Sequence, residues 1–314
     1  VLAIVCPGQG SQTPGFLSPW LELTGVEEQL TALSELAGRD LIAHGTTSDE
    51  ETIKDTAIAQ PLIVAAGLVT YRALAGSEAA AAADGGVVAG HSVGEITASA
   101  VAGALSEQDA MRLVRARANA MAEAAHASPT GMTAVVGGQP EDVAAAIASA
   151  GLTAANANGA GQVVAAGTVD QLQVLAQNPP ERARVIPLKV AGAFHTQHMA
   201  SAVDVLERLR PELSPRDPRL PLLSNFDGRP VASGTDNLDS LIAQVSRPVR
   251  WDRCMEQLTA MGVTGVLELA PAGTLVGLAK RGMRGTASFA LKTPEDLEAA
   301  RAFASEHLEA AKEN

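Results

Sequence analysis

An α/β fold on a parallel sheet, carrying a small inserted unit, is predicted by three observations. Short apolar runs ending at Gly or Pro alternate with helical stretches over residues 1–122. Over residues 123–190 that rhythm gives way to shorter elements in the order β-α-β-β-α-β. From residue 191 to 314 the first rhythm resumes, so the larger domain is expected to be discontinuous.

Residues 1–6 form a continuous apolar run closed by Pro7-Gly8, the pattern of a strand buried on both faces. Helices are expected around residues 25–36 and over residues 57–74. The longest apolar stretch, Pro61 to Tyr71, falls short of the ~20 residues that cross a bilayer and reads as a buried core helix. Residues 79–83, an alanine tract, read as a helix end or a surface loop. Residues 86–89 are a second core strand and residues 95–101 a helix. Ser106-Glu107-Gln108-Asp109 has the form of a capping box at the head of the next helix, whose apolar stripe is Met111, Val114, Ala118 and Met121.

In the middle segment, residues 131–136 are a strand and residues 140–150 a helix with Pro at its start. Strands at 153–156 and 162–166 are joined by Asn158-Gly159-Ala160-Gly161. A helix at 169–176 and a strand at 182–188 complete the ferredoxin-like split pattern. Beyond it, strands are expected at 220–223 and 263–269. Helices are expected at 195–209, 238–245, 251–261 and 274–282. The tail from Pro294 reads as a charged surface helix.

The net charge of −12 argues against a nucleic-acid binder, which needs a basic stripe, and against electrostatic docking to an anionic membrane. Cys6 and Cys254 form neither a zinc spacing nor a disulfide framework. With no secretory leader in the opening residues, a cytoplasmic location is expected.

Gly90-His91-Ser92-Val93-Gly94 lies between the strand Val87-Val88-Ala89 and an apolar helix, the context of a nucleophile elbow. The chain must reverse within a few residues, so glycines flank the serine, whose oxygen projects where helix N–H groups can hold an oxyanion. A serine nucleophile needs a base. Of six histidines, His195 in Gly192-Ala193-Phe194-His195 follows a strand and opens a helix, where it can face a cleft. His91 adjoins Ser92 but projects differently, and His44, His126 and His307 read as surface residues. His195 with His198 fits no metal pattern. No Asp or Glu between Ser92 and His195 is marked as a third triad member.

On the helix after Ser106, Arg112 falls opposite the apolar stripe and Arg115 at its edge, but Arg117 lies on the buried flank. A core-facing guanidinium needs an anionic partner. Two readings stand: an internal salt bridge, or a bidentate clamp on a substrate carboxylate.

Together these residues resemble the malonyl-CoA:acyl-carrier-protein transacylases and the acyltransferase domains of polyketide synthases. The matches are Pro7 to Gln12, Gly90 to Glu95, Arg117, Asn156 to Gly167, Gly192 to His195, and Arg247 to Trp251. The resemblance implies an α/β-hydrolase-like domain (residues 1–122 and 191–314) with a ferredoxin-like insertion (123–190). It implies Ser92 as nucleophile, His195 as base, and the backbone N–H groups of Gln9 and Val93 as the oxyanion hole. Arg117 would pair with the malonate carboxylate, the backbone carbonyl of Gln244 would orient His195, and His91 and Asn156 would lie near the substrate.

The implied reaction is ping-pong transfer of malonyl from malonyl-CoA to the phosphopantetheine thiol of acyl carrier protein, with coenzyme A entering as substrate and no tightly bound cofactor or metal. Ala193-Phe194-His195 and Val93 match the malonyl-type pattern of the polyketide branch, while Gly192 departs from its first position. Methylmalonyl-CoA is the alternative donor. The rival classes are a serine esterase or thioesterase, and a scaffold that binds carriers without catalysis. The family's carrier is acidic, so Lys280, Arg281 and Arg284, with Lys189 near His195 in sequence, are the expected docking surface.

Overall fold

The computed structural model describes residues 1–76, 86–190 and 192–309; the alanine tract at 79–83 lies outside them. Its first strand, β1 (Leu2–Cys6), is buried along its whole length. It can be so because it is central: β1 pairs in parallel with β2 (Val87–Gly90) on one side and β9 (Gly265–Glu268) on the other. β7 (Leu222–Leu223) and β10 (Ala287–Ala290) complete the sheet in the order β10-β9-β1-β2-β7, every pairing parallel. Strands covered on both faces carry no polar alternation, which is why apolar runs predicted them.

Helices α1 (Val26–Ala37), α2 (Leu41–Thr46), α3 (Glu50–Lys54) and α4 (Thr56–Ala75) follow β1. α4 is long and apolar enough to cross a membrane by length and composition alone, but nearly three-quarters of its apolar window is buried inside the protein. It packs on α5 (Gly94–Val101) and α6 (Glu107–His126) as a core helix.

The middle of the chain builds a second sheet from β3 (Thr130–Gly137), α7 (Pro140–Ser149), β4 (Thr153–Gly159), β5 (Gln162–Thr168), α8 (Val169–Gln177) and β6 (Ala183–Pro187). Its order is β6-β3-β5-β4, all antiparallel, with β8 (Val249–Arg250) added in parallel beside β4. The remaining helices are α9 (Ala200–Leu209), α10 (Gly234–Gln244), α11 (Trp251–Ala260), α12 (Thr274–Gly282) and α13 (Leu297–Glu309).

Several expectations need correction. Residues 195–199 are not helical: His195 takes a left-handed φ of 60°, a short 3-10 turn follows at Gln197–Met199, and α9 starts at Ala200. The cause is a tie from the His195 N–H to the Val245 carbonyl, which pulls the chain out of helical register. At the head of α6, Ser106 caps the Asp109 N–H, but the Asp109 carboxylate accepts from Ser214 N instead of closing the box. The C-terminal helix is not merely a surface element: Ala300, Ala304 and His307 are buried, and α13 packs on β9, β1 and α4. His307 is thereby a packing residue, its Nδ1 bonded to Thr264 Oγ1 at 2.9 Å. β8 and β10 went unforeseen; one is two residues long and the other is a half-exposed edge strand.

Candidate active site

Ser92 sits in the turn between β2 and α5 with φ 54°, a conformation that costs a non-glycine residue about 1–3 kcal/mol. Its neighbours have no room for side chains. A Cβ on Gly94 would overlap the Cys6 and Pro7 carbonyl oxygens, and one on Gly90 would overlap the Gly94 and Glu95 backbone. The Asn225 side chain holds the turn from outside: Oδ1 accepts from Ser92 N at 2.8 Å and Nδ2 donates to Gly90 O at 2.7 Å.

His195 reaches the serine from the other half of the domain. Its Nε2 lies 2.7 Å from Ser92 Oγ and its Nδ1 lies 2.9 Å from the Gln244 carbonyl oxygen. A carbonyl only accepts, so Nδ1 carries the proton and Nε2 is free to take one from the serine. Burial and the nearby Arg117 charge push the imidazole down to about 3, which keeps it neutral at rest. No carboxylate contacts the His195 ring among the described residues.

Arg117 is 1 % exposed, as the helical stripe required. The salt-bridge alternative is not what it makes: among the described residues no carboxylate lies within ion-pair distance of it. Its partners are neutral: Gln60 Oε1 at 2.6 Å, Gln244 Oε1 at 2.9 Å and Ser92 Oγ at 3.4 Å. Burial lowers it to about 10, with Glu95 opposing, so it stays cationic near neutrality. A buried cation next to the serine oxygen, held only by neutral groups, can take up an incoming anion.

Ser92, His195, Gln9, His91 and Asn156 line one cavity of about 530 Å³, walled by Met121, Phe194 and residues of β4, β5 and α12. Among the described residues the backbone N–H groups of Gln9 and Val93 have no acceptor within the protein, and Val93 stands at the start of α5. His91 turns away from the serine, bonding Asn158 Oδ1 at 2.8 Å and meeting Trp251 edge-on. Asn156 is buried with an unpartnered Oδ1. Arg281 lines the cavity, whereas the exposed Lys189, Lys280 and Arg284 do not. A larger, more open groove of about 860 Å³, between Arg210, Phe226 and Arg247, holds no serine–histidine pair.

Sequence reading missed Gln60, Asn158 and Asn225, and it gave Glu95 no role beyond its place in the motif. Glu95 and Asn158 lie inside segments already marked, Gly90 to Glu95 and Asn156 to Gly167; Gln60 and Asn225 meet the site only through the fold. Among the described residues no cluster of three metal-ligating side chains occurs.

This combination fits a class, the α/β acyltransferases. Residues 3–304 match the family model described as the acyl transferase domain. The malonyl CoA-acyl carrier protein transacylase of Mycobacterium tuberculosis (strain ATCC 25618 / H37Rv) is 48% identical over 298 residues, covering 95% of this chain and 98% of that protein. The crystal structure of MCAT from Mycobacterium tuberculosis matches with a TM-score of 0.92 at 47% identity, over 96% of this chain and 99% of that one. A type II PKS acyl-carrier protein in complex with its malonyl-transacylase matches with a TM-score of 0.86 at 30% identity, over 96% and 99%. The chain belongs to the malonyl CoA-acyl carrier protein transacylase family and is an acyltransferase.

Proposed function

We propose that this chain transfers malonyl from malonyl-CoA to the phosphopantetheine thiol of acyl carrier protein through an ester on Ser92. The observation that carries the proposal is Arg117, a buried guanidinium with neutral partners only, 3.4 Å from Ser92 Oγ. The distal carboxylate of malonate supplies the missing anion. His195 Nε2 takes the Ser92 proton as Oγ attacks the thioester carbonyl, and the Gln9 and Val93 N–H groups receive the oxyanion. Collapse breaks the C–S bond and His195 returns the proton to the leaving coenzyme A thiolate. The carrier thiol then gives its proton to His195 and attacks the ester, and Ser92 recovers the proton as the C–O bond breaks. Gln244 orients His195 through its carbonyl, and His91 and Asn156 border the acyl group. The reaction calls for no resident cofactor or metal.

The parallel sheet fits an α/β-hydrolase-like domain over residues 1–122 and 191–314. The strand order of the second sheet supports an inserted ferredoxin-like subdomain over residues 123–190, entered from the last turn of α6. Lys189, Lys280, Arg281 and Arg284 are the surface we assign to the acidic carrier.

Mass measurement of the protein after malonyl-CoA, methylmalonyl-CoA and acetyl-CoA, followed by addition of holo carrier, tests the proposal. The expected result is a malonyl adduct on Ser92 that discharges to the carrier thiol. Rapid release of free malonate would instead indicate a thioesterase, and preference for methylmalonyl would shift the donor.

A further inference from the structure

We infer that Glu95 and Asn225, which do not border the cavity, are positioning residues that hold nucleophile, base and carboxylate clamp in one frame through Gln244. The inference rests on the acyl-transfer reading of the site, but it concerns how the site is held.

The first link is the strained serine. Asn225 grips both ends of the turn, accepting from Ser92 N and donating to Gly90 O. Asn225 is fully buried, and its own N–H donates to Glu95 Oε1 at 2.6 Å. The left-handed Ser92 is thus fixed by a side chain 133 residues away, which is itself fixed by the carboxylate three residues beyond the serine.

The second link is the Gln244 side chain. Its Nε2 donates to Glu95 Oε2 and, at 3.2 Å, to the Ser92 carbonyl; its Oε1 accepts from Arg117 at 2.9 Å. Its backbone carbonyl holds His195 Nδ1. One residue therefore touches base, clamp and elbow together. An amide has a donor end and an acceptor end, and a carboxylate whose two oxygens both face N–H groups can only accept. Glu95 thereby dictates that Gln244 shows N–H to it and oxygen to Arg117.

The same arrangement sets one neutral amide between the buried Glu95 carboxyl and the buried Arg117 guanidinium. No Glu95 oxygen takes an Arg117 N–H, so the acceptors Arg117 holds are neutral ones that a substrate carboxylate can displace. Burial pushes the Glu95 carboxyl up, opposed by the Asn225 N–H, the Gln244 amide and Arg117.

Two variants and three reagents test the inference. A fluorophosphonate reports the Ser92–His195 pair without any acyl group, while malonyl-CoA against acetyl-CoA reports the clamp. Asn225→Ala is expected to slow phosphonylation of Ser92 about 10²-fold, the scale of an ångström-sized misplacement. Glu95→Gln is nearly isosteric, but its amide would face the Gln244 amide donor to donor and turn it round, so that N–H groups point at Arg117. The ratio of malonyl to acetyl acylation is then expected to fall at least tenfold, with phosphonylation changed about threefold or less. A role in stability alone would lower the melting temperature and leave that ratio intact. An unchanged ratio in Glu95→Gln overturns the inference, as does wild-type phosphonylation in Asn225→Ala. Should Asn225→Ala not fold, the Glu95→Gln ratio decides. Wild-type protein acylated no faster by malonyl-CoA than by acetyl-CoA would sink the transfer reading and leave the phosphonylation arm standing.

Discussion

Single residues carry the chemistry, and two of them make separable predictions. Replacing Arg117 by Ala removes charge-assisted hydrogen bonds of about 1.5–3 kcal/mol each, so malonyl acylation of Ser92 should fall about 10²-fold or more. Acetyl acylation should fall less, and equal losses in stopped-flow assays would mean Arg117 serves structure only. His195 tests by pH. Its imidazole is held down to about 3 by burial and Arg117, so it remains an unprotonated base throughout the mildly acidic range. Phosphonylation of Ser92 should therefore run flat from pH 8 to pH 5, and an acid limb centred near 6.5 would contradict the buried neutral imidazole. The linkage has the corresponding sign. The unfolded chain protonates this histidine first, so its stability contribution is full above about pH 6.5 and is lost as pH falls toward 3. Ser92, His195 and Arg117 were legible because a motif or a helical period exposed each. Gln60 and Asn225 were not, since their partners lie 57 and 133 residues away and an amide in an apolar neighbourhood has no sequence signature.

Elements place those residues, and their ends matter more than their middles. At the head of α5, any side chain on Gly94 must displace the Cys6 and Pro7 carbonyls of the strand exit. Gly94→Ala should cost about 3 kcal/mol or more, read as a lowered denaturant midpoint with Ser92 reactivity lost alongside. At the head of α12, Glu268 is wholly buried and accepts from the N–H groups of Gly273, Leu275 and Val276. Glu268→Ala strands those donors and should cost about 2–3 kcal/mol in urea unfolding. Because α12 walls the cavity and carries Arg281, KM for both substrates should rise with it. Most helices with a clear apolar stripe and the strands buried on both faces were read from pattern within a residue or two, but α10 starts at Gly234, four residues before its expected start, because the polar Gly-Thr-Asp-Asn turn capped by Ser233 carries no apolar stripe. The segment at 195–199 was misread because Met199 continues the apolar spacing of Ala202 and Leu206 on α9, while a backbone tie from His195 to Val245 holds the chain out of the helix. β10 has intermediate burial at three of its four positions, and so shows neither alternation nor a continuous apolar run.

At the scale of the molecule, charge and topology set the terms of encounter. A net charge of −12 repels an acidic carrier, so approach depends on local cations. Reversing Lys280 and Arg284, which stand outside the cavity lining, to Glu should raise KM for the carrier severalfold, most steeply at low salt, with little change for a small thiol acceptor; unchanged KM would move docking elsewhere. The overall plan was legible because the change of rhythm near residue 123 marked the second sheet. That β8 would cross over to join this sheet was not, since two residues leave no pattern. The placement of β1 bears on how the chain is made. Leu2 pairs with Gly265, so β1, once it has left the ribosome, waits for a partner some 260 residues behind it. At about 5–20 residues per second that wait is on the order of ten to fifty seconds. Through it an apolar Leu-Ala-Ile-Val-Cys segment keeps an open edge, a hazard of pairing with other chains that the finished sheet no longer carries.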